Sequence, residues 1–380
     1  MKFTIVNNVL YDYLGTDLML GGIESYIQEL SKLIEELGHE VMIIQMSKVR
    51  FEKLLNTSTT VVGYTNSVGK LPSKRAFLNY VKKRIEKSIV IWGSDQLSTN
   101  LKYNKSIIIQ HGIGFDCEAF ESGLKKYIPT FRLERIYKFL QRYRAIRLFE
   151  NSHYSVCVDY NFLCWYRTMR PNKTGGNHQV IPNFTRISKE NIKKRKEDEK
   201  INIVFARRFV TRRGIDIFLP AISKVMKQRK NVHVTFAGGG GRIKEVEYFC
   251  QQHPNASISS YTYNESIDFH SKFDISVVPS VGSEGTSLSL LEAMSAGCAI
   301  ISTNVGGLTN IVIDNYNGLL INPNVDELYF AIINLVDNED LREKLSINAS
   351  EMVKCSFSLQ LWRTRWEKMI NLVLESKPIL

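Results

Sequence analysis

Glu284 and Glu292 stand eight residues apart in PSVGSEGTSLSLLEAMSAGC (279–298), a stretch otherwise uncharged and built of small or apolar residues. As two nearby acids they suggest general acid–base work. A second reading follows from their setting. Strand ISVVPS runs into the loop VGSEG, and Thr286 or Ser287 suits the N-cap of a helix LSLLEAMSAG. Glu284 then precedes a positive helix end and Glu292 lies inside the helix, so the two acids can accept hydroxyl hydrogen bonds at opposite ends of an elongated, phosphate-centred ligand. One surface acid plus one acid favoured by the helix dipole is the plainer alternative.

Other residues share an anion-binding chemistry. FARRFVTRRG (205–214) places Arg207, Arg208, Arg212 and Arg213 directly after a strand. Guanidinium groups bind phosphate in bidentate fashion and do not titrate away, although a solvated basic loop has the same composition. Gly21-Gly22 precedes an amphipathic helix, where backbone N–H groups can approach an anion; a flexible helix start reads the same way. The four glycines of FAGGGGR (236–242) form a tight turn and miss the dinucleotide G-x-G-x-x-G spacing. His111 follows the strand-like run SIIIQ, a place where a structural histidine is also common.

The elements that must position these residues are short β-branched runs alternating with helix-period stretches. In the first half they are 3–7, 41–46, 60–64, 88–92 and 106–110; in the second, 202–206, 233–237, 275–279 and 298–302. Apolar runs separated by helices imply parallel strands covered on both faces, hence two doubly wound α/β domains. Residues 187–200, ISKENIKKRKEDEK, are dense in charge and read as a linker. The division is therefore 1–186, a first domain; 187–200, the linker; 201–355, a second domain; and 356–380, a helix packing back on the first domain.

With 380 residues, 44% hydrophobic and 23% charged, the chain has the composition of a folded soluble protein with two cores. No apolar run has the length of a membrane span, and the N-terminus lacks signal-peptide features, so a cytoplasmic location is expected, with an optional peripheral one at the inner membrane face. The six cysteines are scattered without zinc spacing and are expected to be free and buried. Residues 1–200 hold 32 Lys+Arg against 20 Asp+Glu, and this excess accounts for the whole net charge of +12. An anionic partner for the first half follows, whether nucleic acid, phosphorylated substrate or membrane. Arg132, Arg135, Lys138 and Arg142 share one side of a helical stretch with Leu133, Ile136, Tyr137 and Leu140 on another, so an anionic membrane patch competes with a solvated helix.

The run P-S-…-E-G-x-S-L-x-x-L-E-A-M-x-x-G, carried by Pro279, Ser280, Glu284, Gly285, Ser287, Leu288, Leu291, Glu292, Ala293, Met294 and Gly297, resembles the retaining glycosyltransferases of family 4. GGIESY (21–26), LGHEV (37–41), VIPN (180–183), RFVTRRG (208–214) and VGG…NGLL (305–320) extend the likeness over nearly the whole chain. The resemblance implies the GT-B architecture: two Rossmann-like domains facing an interdomain cleft, with a C-terminal helix returning to the first. It implies a metal-independent hexosyl- or N-acetylhexosaminyltransferase without cofactor, using a nucleotide-sugar donor, UDP by default. The acceptor would be a hydroxyl of a glycan or lipid-linked molecule in bacterial cell-surface polysaccharide synthesis.

By the same resemblance Glu292 holds the ribose hydroxyls and Glu284 the donor sugar, with backbone N–H groups from Gly285, Thr286 and Ser287. Arg208 and Arg213 neutralise the diphosphate, Gly21 and Gly22 close on phosphates or acceptor, and His111 is the active-site histidine. Three positions depart from the pattern: Arg213 stands for the usual Lys, Arg207 for the usual Gly, and Asn310 for the usual acid. Rival readings are a non-hydrolysing nucleotide-sugar epimerase of GT-B fold and a carbohydrate- or nucleotide-binding pseudoenzyme. No nucleic-acid motif is recognised, and none is expected as a partner.

Overall fold

The computed structural model describes residues 1–19, 21–85, 87–101, 104–116, 133–170, 177–188 and 200–376. The chain divides into two units. The first comprises Met1–His111, Ile136–Ile181 and the stretch from Trp362; the second comprises Pro182–Leu361 and a short stretch from Gly112. Apart from Ile187, Ser188 and Lys200, the linker read at 187–200 lies outside the described residues.

In the first unit, β1 (Lys2–Val6), β2 (Glu40–Met46), β3 (Phe51–Leu54), β4 (Thr60–Tyr64), β5 (Ile89–Trp92), β6 (Ser106–Gln110), β7 (Tyr154–Cys157) and β8 (Asn177–Val180) form one sheet. Their order is β3-β4-β2-β1-β5-β6-β7-β8, parallel throughout except for β3 against β4. The central strands are β-branched and buried, as a sheet covered on both faces requires. Among the covering helices are α1 (Gly22–Glu36), α2 (Lys74–Arg84), α3 (Glu134–Phe149) and α4 (Tyr160–Met169). Tyr26, Ile27, Leu30, Leu33 and Ile34 recur at helical spacing along α1, so one stripe of that helix is buried.

The second unit holds β9 (Ile201–Ala206), β10 (Val232–Ala237), β11 (Ala256–Ser259), β12 (Ile275–Val278), β13 (Ala299–Thr303) and β14 (Leu319–Ile321). All are parallel, in the order β11-β10-β9-β12-β13-β14. Numbered within the unit this is 3-2-1-4-5-6, the Rossmann order, whose switch point lies between β9 and β12. Its helices are α5 (Ile215–Gln228), α6 (Ile243–Gln252), α7 (Ser266–His270), α8 (Leu288–Ser295), α9 (Val325–Asp337) and α10 (Glu339–Ser356). Phe205, Phe218 and Phe236 pack with apolar residues of α5 and α9 in one core. Val278, Leu290, Leu291, Met294, Ile300 and Val353 form another under α8 and α10. Each such side chain stabilises the fold by about 1.5–3 kcal/mol on burial.

The last helix, α11 (Leu359–Glu375), packs on the first unit through its residues from Trp362 onward. Trp366 Nε1 donates to the Tyr26 hydroxyl at 2.7 Å, and the Trp362 ring meets Tyr26 edge-on at 5.0 Å. Lys105 Nζ donates to the carbonyls of Val373 and Ser376, at 2.8 and 2.6 Å, where the helix leaves carbonyls without intrahelical partners. The five described cysteines are free, but Cys164 and Cys355 are exposed; only Cys157 and Cys298 are buried. No helix among the described residues is long and apolar enough to cross a membrane.

Candidate functional site

At the switch point of the second sheet, the carboxyl end of β9 delivers Arg207 and the carboxyl end of β12 delivers the loop that carries Glu284. Arg207 Nη2 donates to both oxygens of the Glu284 carboxylate, at 2.7 and 2.5 Å. Arg213 Nη1 donates to Oε2, and Ser280 Oγ to Oε1 at 2.7 Å. Those four hydrogen bonds use the roughly four acceptor directions that a carboxylate offers. Glu284 and Arg207 are each only 8% exposed. Burial pushes the Glu284 carboxyl up, but Arg207 and then Arg213 outweigh it and hold it below its ordinary value. Arg213 is pulled down to about 10, first by burial, with Arg207, Arg208 and Arg212 adding repulsion against the pull of Glu284. Two guanidinium groups, buried Arg207 and half-buried Arg213, therefore face one carboxylate, and the surplus charge is positive.

The Glu284 loop is held from several sides. Gly214 has φ +80°, and a Cβ there would lie 1.7 Å from the Pro279 carbonyl oxygen, so only glycine lets the RRG turn lie against the loop. Gly307 N–H donates to the Glu284 carbonyl at 2.7 Å, and Thr303 Oγ1 to the Ser280 carbonyl at 2.6 Å. Asn183, from the VIPN stretch, donates to the Thr286 carbonyl at 2.5 Å. Arg212 reaches the carbonyls of Ile113 at 2.7 Å and of Ser283, and pairs with Asp116 Oδ1 at 3.1 Å. Asp116 Oδ2 in turn accepts from Ser283 N at 2.6 Å. Ser287 is the N-cap of α8, yet its hydroxyl caps no helix N–H; it accepts from Arg207 Nη1 at 3.4 Å. The glycine run after β10 lies along the arginine loop, where a Cβ on Gly238 (φ +143°) would come within 2.4 Å of the Arg207 carbonyl oxygen.

Glu292, inside α8, sits in a different environment. Burial pushes its carboxyl up to about 7, with the Ser266 hydroxyl pulling the other way. Tyr261, stacked on Phe269 at 4.4 Å, has its phenol raised by burial and then by Glu292. The two glutamates thus differ in charge near neutrality: Glu284 is ionised against arginines, whereas Glu292 stands near its midpoint. Their linkage signs are opposite. The stabilisation from Glu284 is present above its ordinary 4.5 and lost as pH falls further. Stability tied to Glu292 declines as pH rises from 4.5 towards about 7.

Of the residues singled out in the sequence, Glu284 and Arg213 are brought together, with Gly285, Thr286 and Ser287 leading into α8. Arg208 is exposed, and the guanidinium beside Arg213 on the carboxylate belongs to Arg207. In the first unit, His111 Nε2 donates to the Gly93 carbonyl at 2.8 Å, which leaves Nδ1 as the ring's acceptor. Burial lowers its pKa to about 4, so the ring is neutral at physiological pH. Tyr26 of α1 meets that ring edge-on at 5.6 Å. Gly21 is the N-cap of α1, and a Cβ there would lie 2.2 Å from a Glu24 carboxylate oxygen; Gly22 opens the helix. The start of α1 therefore already has an acid beside it. Arg132 lies outside the described residues; Arg135 and Arg142 are exposed on α3 and Lys138 is half-buried. Asp116 was not singled out in the sequence, because its partners Arg212 and Ser283 are distant along the chain; Arg212 and Ser280 were named only as members of the arginine loop and of the motif.

Comparison with known proteins bears on the same region. Residues 187–352 match the family described as Glycosyl transferases group 1. An uncharacterized glycosyltransferase of Methanocaldococcus jannaschii is 35% identical over 173 residues, 44% of this chain and 45% of that protein. The matched stretch thus spans less than half of that relative. The fold matches sucrose-phosphate synthase from Thermosynechococcus elongatus with a TM-score of 0.76 at 15% identity, over 99% of this chain and 100% of that one. It also matches Anabaena HepE, solved in complex with UDP-glucose, with a TM-score of 0.67 at 12% identity, over 98% and 99% of the two chains. At such identities the likeness is one of fold. Residues 187–352 are therefore similar to a group 1 glycosyl transferase domain, and the chain has the GT-B fold of two Rossmann-like domains.

Proposed function

We propose that the chain transfers a sugar from a nucleotide-diphosphate donor, a UDP-sugar first among candidates, to a hydroxyl of a glycan or lipid-linked acceptor, with retention at the transferred carbon. The observation that carries this reading is the buried Arg207–Glu284–Arg213 cluster at the Rossmann switch point, with its surplus positive charge. When a glycosyl bond to a diphosphate breaks, negative charge collects on the leaving group, and preorganised guanidinium groups beside a helix N-terminus stabilise it. Arg213, with exposed Arg208 free to swing in, fills that role without a metal. Same-face attack, with the departing phosphate oxygen taking the acceptor's proton, gives retention. His111 serves as a neutral hydrogen-bonding group and not as a protonated acid, since its pKa lies near 4.

Within this reading Glu284 acts chiefly as the counter-ion that aims the arginines, because its acceptor directions are filled. Glu292 takes the ribose hydroxyls. An ionised carboxylate accepts two such hydrogen bonds, whereas a protonated one has a donor on one oxygen. UDP-sugar affinity is therefore expected to rise as pH rises through about 7, and Glu292→Gln should flatten that profile in calorimetric titrations from pH 6 to 8, where the diphosphate diester itself does not titrate. A slope that survives in the variant would remove Glu292 from the ribose site.

The whole reading is tested by a thermal-shift panel of nucleotide sugars on the full chain. A ligand at a hundred times its Kd adds about 2.7 kcal/mol to the state it binds. A UDP-sugar should give the largest rise in melting temperature; a panel in which no nucleotide shifts melting would overturn the proposal.

A further inference from the structure

Helix α3 carries Ile136, Phe139, Leu140 and Tyr143 at the i, i+3, i+4, i+7 spacing of one helical stripe, and each is between 55% and 63% exposed. Four consecutive large apolar side chains on one face of a soluble fold are unusual, because apolar stripes normally turn inward. The helix is not loose. Its C-terminal half is seated by buried Ile146 and Phe149, and the Phe149 ring packs on Phe162 and Tyr166 at 5.0 and 4.8 Å. The outward stripe is thus presented by a fixed element.

The charge around the stripe indicates what covers it. Glu134–Phe149 contains Arg135, Lys138, Arg142, Arg144 and Arg147 against the single acid Glu134, five cations to one anion. By helical spacing Arg144 and Arg147 lie beside or just beyond the stripe on one flank, with Arg135 and Arg142 towards the other. Long cationic side chains around an apolar strip suit an interface that is hydrocarbon at the centre and anionic at the rim. A second copy of this chain would bring the same cations against their like, which disfavours a face-to-face pair of α3 helices.

We propose that the α3 face docks on an anionic phospholipid bilayer, with Ile136, Phe139, Leu140 and Tyr143 entering the acyl boundary and the arginines contacting headgroup phosphates. This surface is independent of the nucleotide site, so the two readings can fail separately.

The test is co-sedimentation of the full chain with phosphatidylcholine vesicles containing or lacking about one-third phosphatidylglycerol, with UDP binding measured on the same samples. Binding to the anionic vesicles should exceed binding to the neutral ones by at least about tenfold and weaken with salt. An I136S/F139S/L140S variant and a separate R135E/R142E/R147E variant should each lose at least about tenfold of that binding, with UDP affinity unchanged. Because all six side chains are on the outside or rim of α3, the variants should melt like the parent; if one does not, the other carries the comparison. Absence of vesicle binding overturns the proposal, as does equal binding to both compositions or binding indifferent to the charge reversals. So does a dimer in sedimentation velocity that the apolar substitutions convert to monomer, since the stripe would then belong to a second copy.

Discussion

Replacing Arg213 by alanine is expected to lower kcat by about 10²–10³-fold at saturating donor, the size seen when one preorganised group facing developing charge is removed. The geometry accounts for so large an effect. Arg213 is mostly buried, it has a single carboxylate partner, and Arg207, Arg208 and Arg212 repel it. Even when lowered to about 10 it is charged at neutral pH, so its field is not lost by titration. An anion arriving between these groups relieves the repulsion and gains most as its own charge grows, which places the benefit in the transition state and not in ground-state binding. The signature is therefore a fall in kcat with a small change in donor KM. Arg213→Lys should recover part of the rate, because it keeps the charge while giving up the fork geometry. Unchanged turnover in Arg213→Ala would place the leaving group elsewhere.

Loss of the Glu284 carboxylate should be felt first as lost stability. Glu284→Ala leaves the Arg207 and Arg213 guanidinium groups facing each other with no counter-ion, and breaking a buried pair in this way costs about 3–5 kcal/mol. Arg207 side-chain exposure is 4%, so water cannot take over the role of the carboxylate. A melting-temperature drop of about 6–20 °C follows for a unit of this size. The Arg207→Ala/Glu284→Ala double variant should lose less than the sum of the two single ones, since removing Arg207 removes much of the repulsion that Glu284→Ala exposes. Additive losses would mean that the two side chains do not act on each other. Arg207→Gly would also free two acceptor directions on Glu284, and a gain in donor affinity there would return that carboxylate to the donor sugar.

Much of the fold was legible because it depends on local pattern. The nine apolar β-branched runs all became strands, from β1 to β13, and α1 buried the stripe its spacing marked. The five strands that were not read are β3, β7, β8, β11 and β14. Four of these, β3, β8, β11 and β14, are edge strands, where one side of the strand has little apolar surface to bury, so the pattern is weak: FEKL alternates and NHQV is polar. β7 is fully buried, but YSVC has only four residues and no β-branched run. The cysteines illustrate the same limit, since their scattered spacing shows no zinc pattern but did not say which of the five described thiols face outward.

The chemistry divides along the same line. The spacing of Glu284 and Glu292, the four arginines after β9 and the glycines beside them are written in the sequence, and they carry the expectation of an anionic, hydroxyl-bearing ligand. Tertiary structure decided which atoms meet. Only the parallel pairing of β9 with β12 brings Arg207 to Glu284 across 77 residues, and only burial sets one glutamate below its ordinary value and the other near 7. Sequence carries the type of each charge; its partner and its dielectric surroundings, which fix its state, exist only once the sheet has assembled.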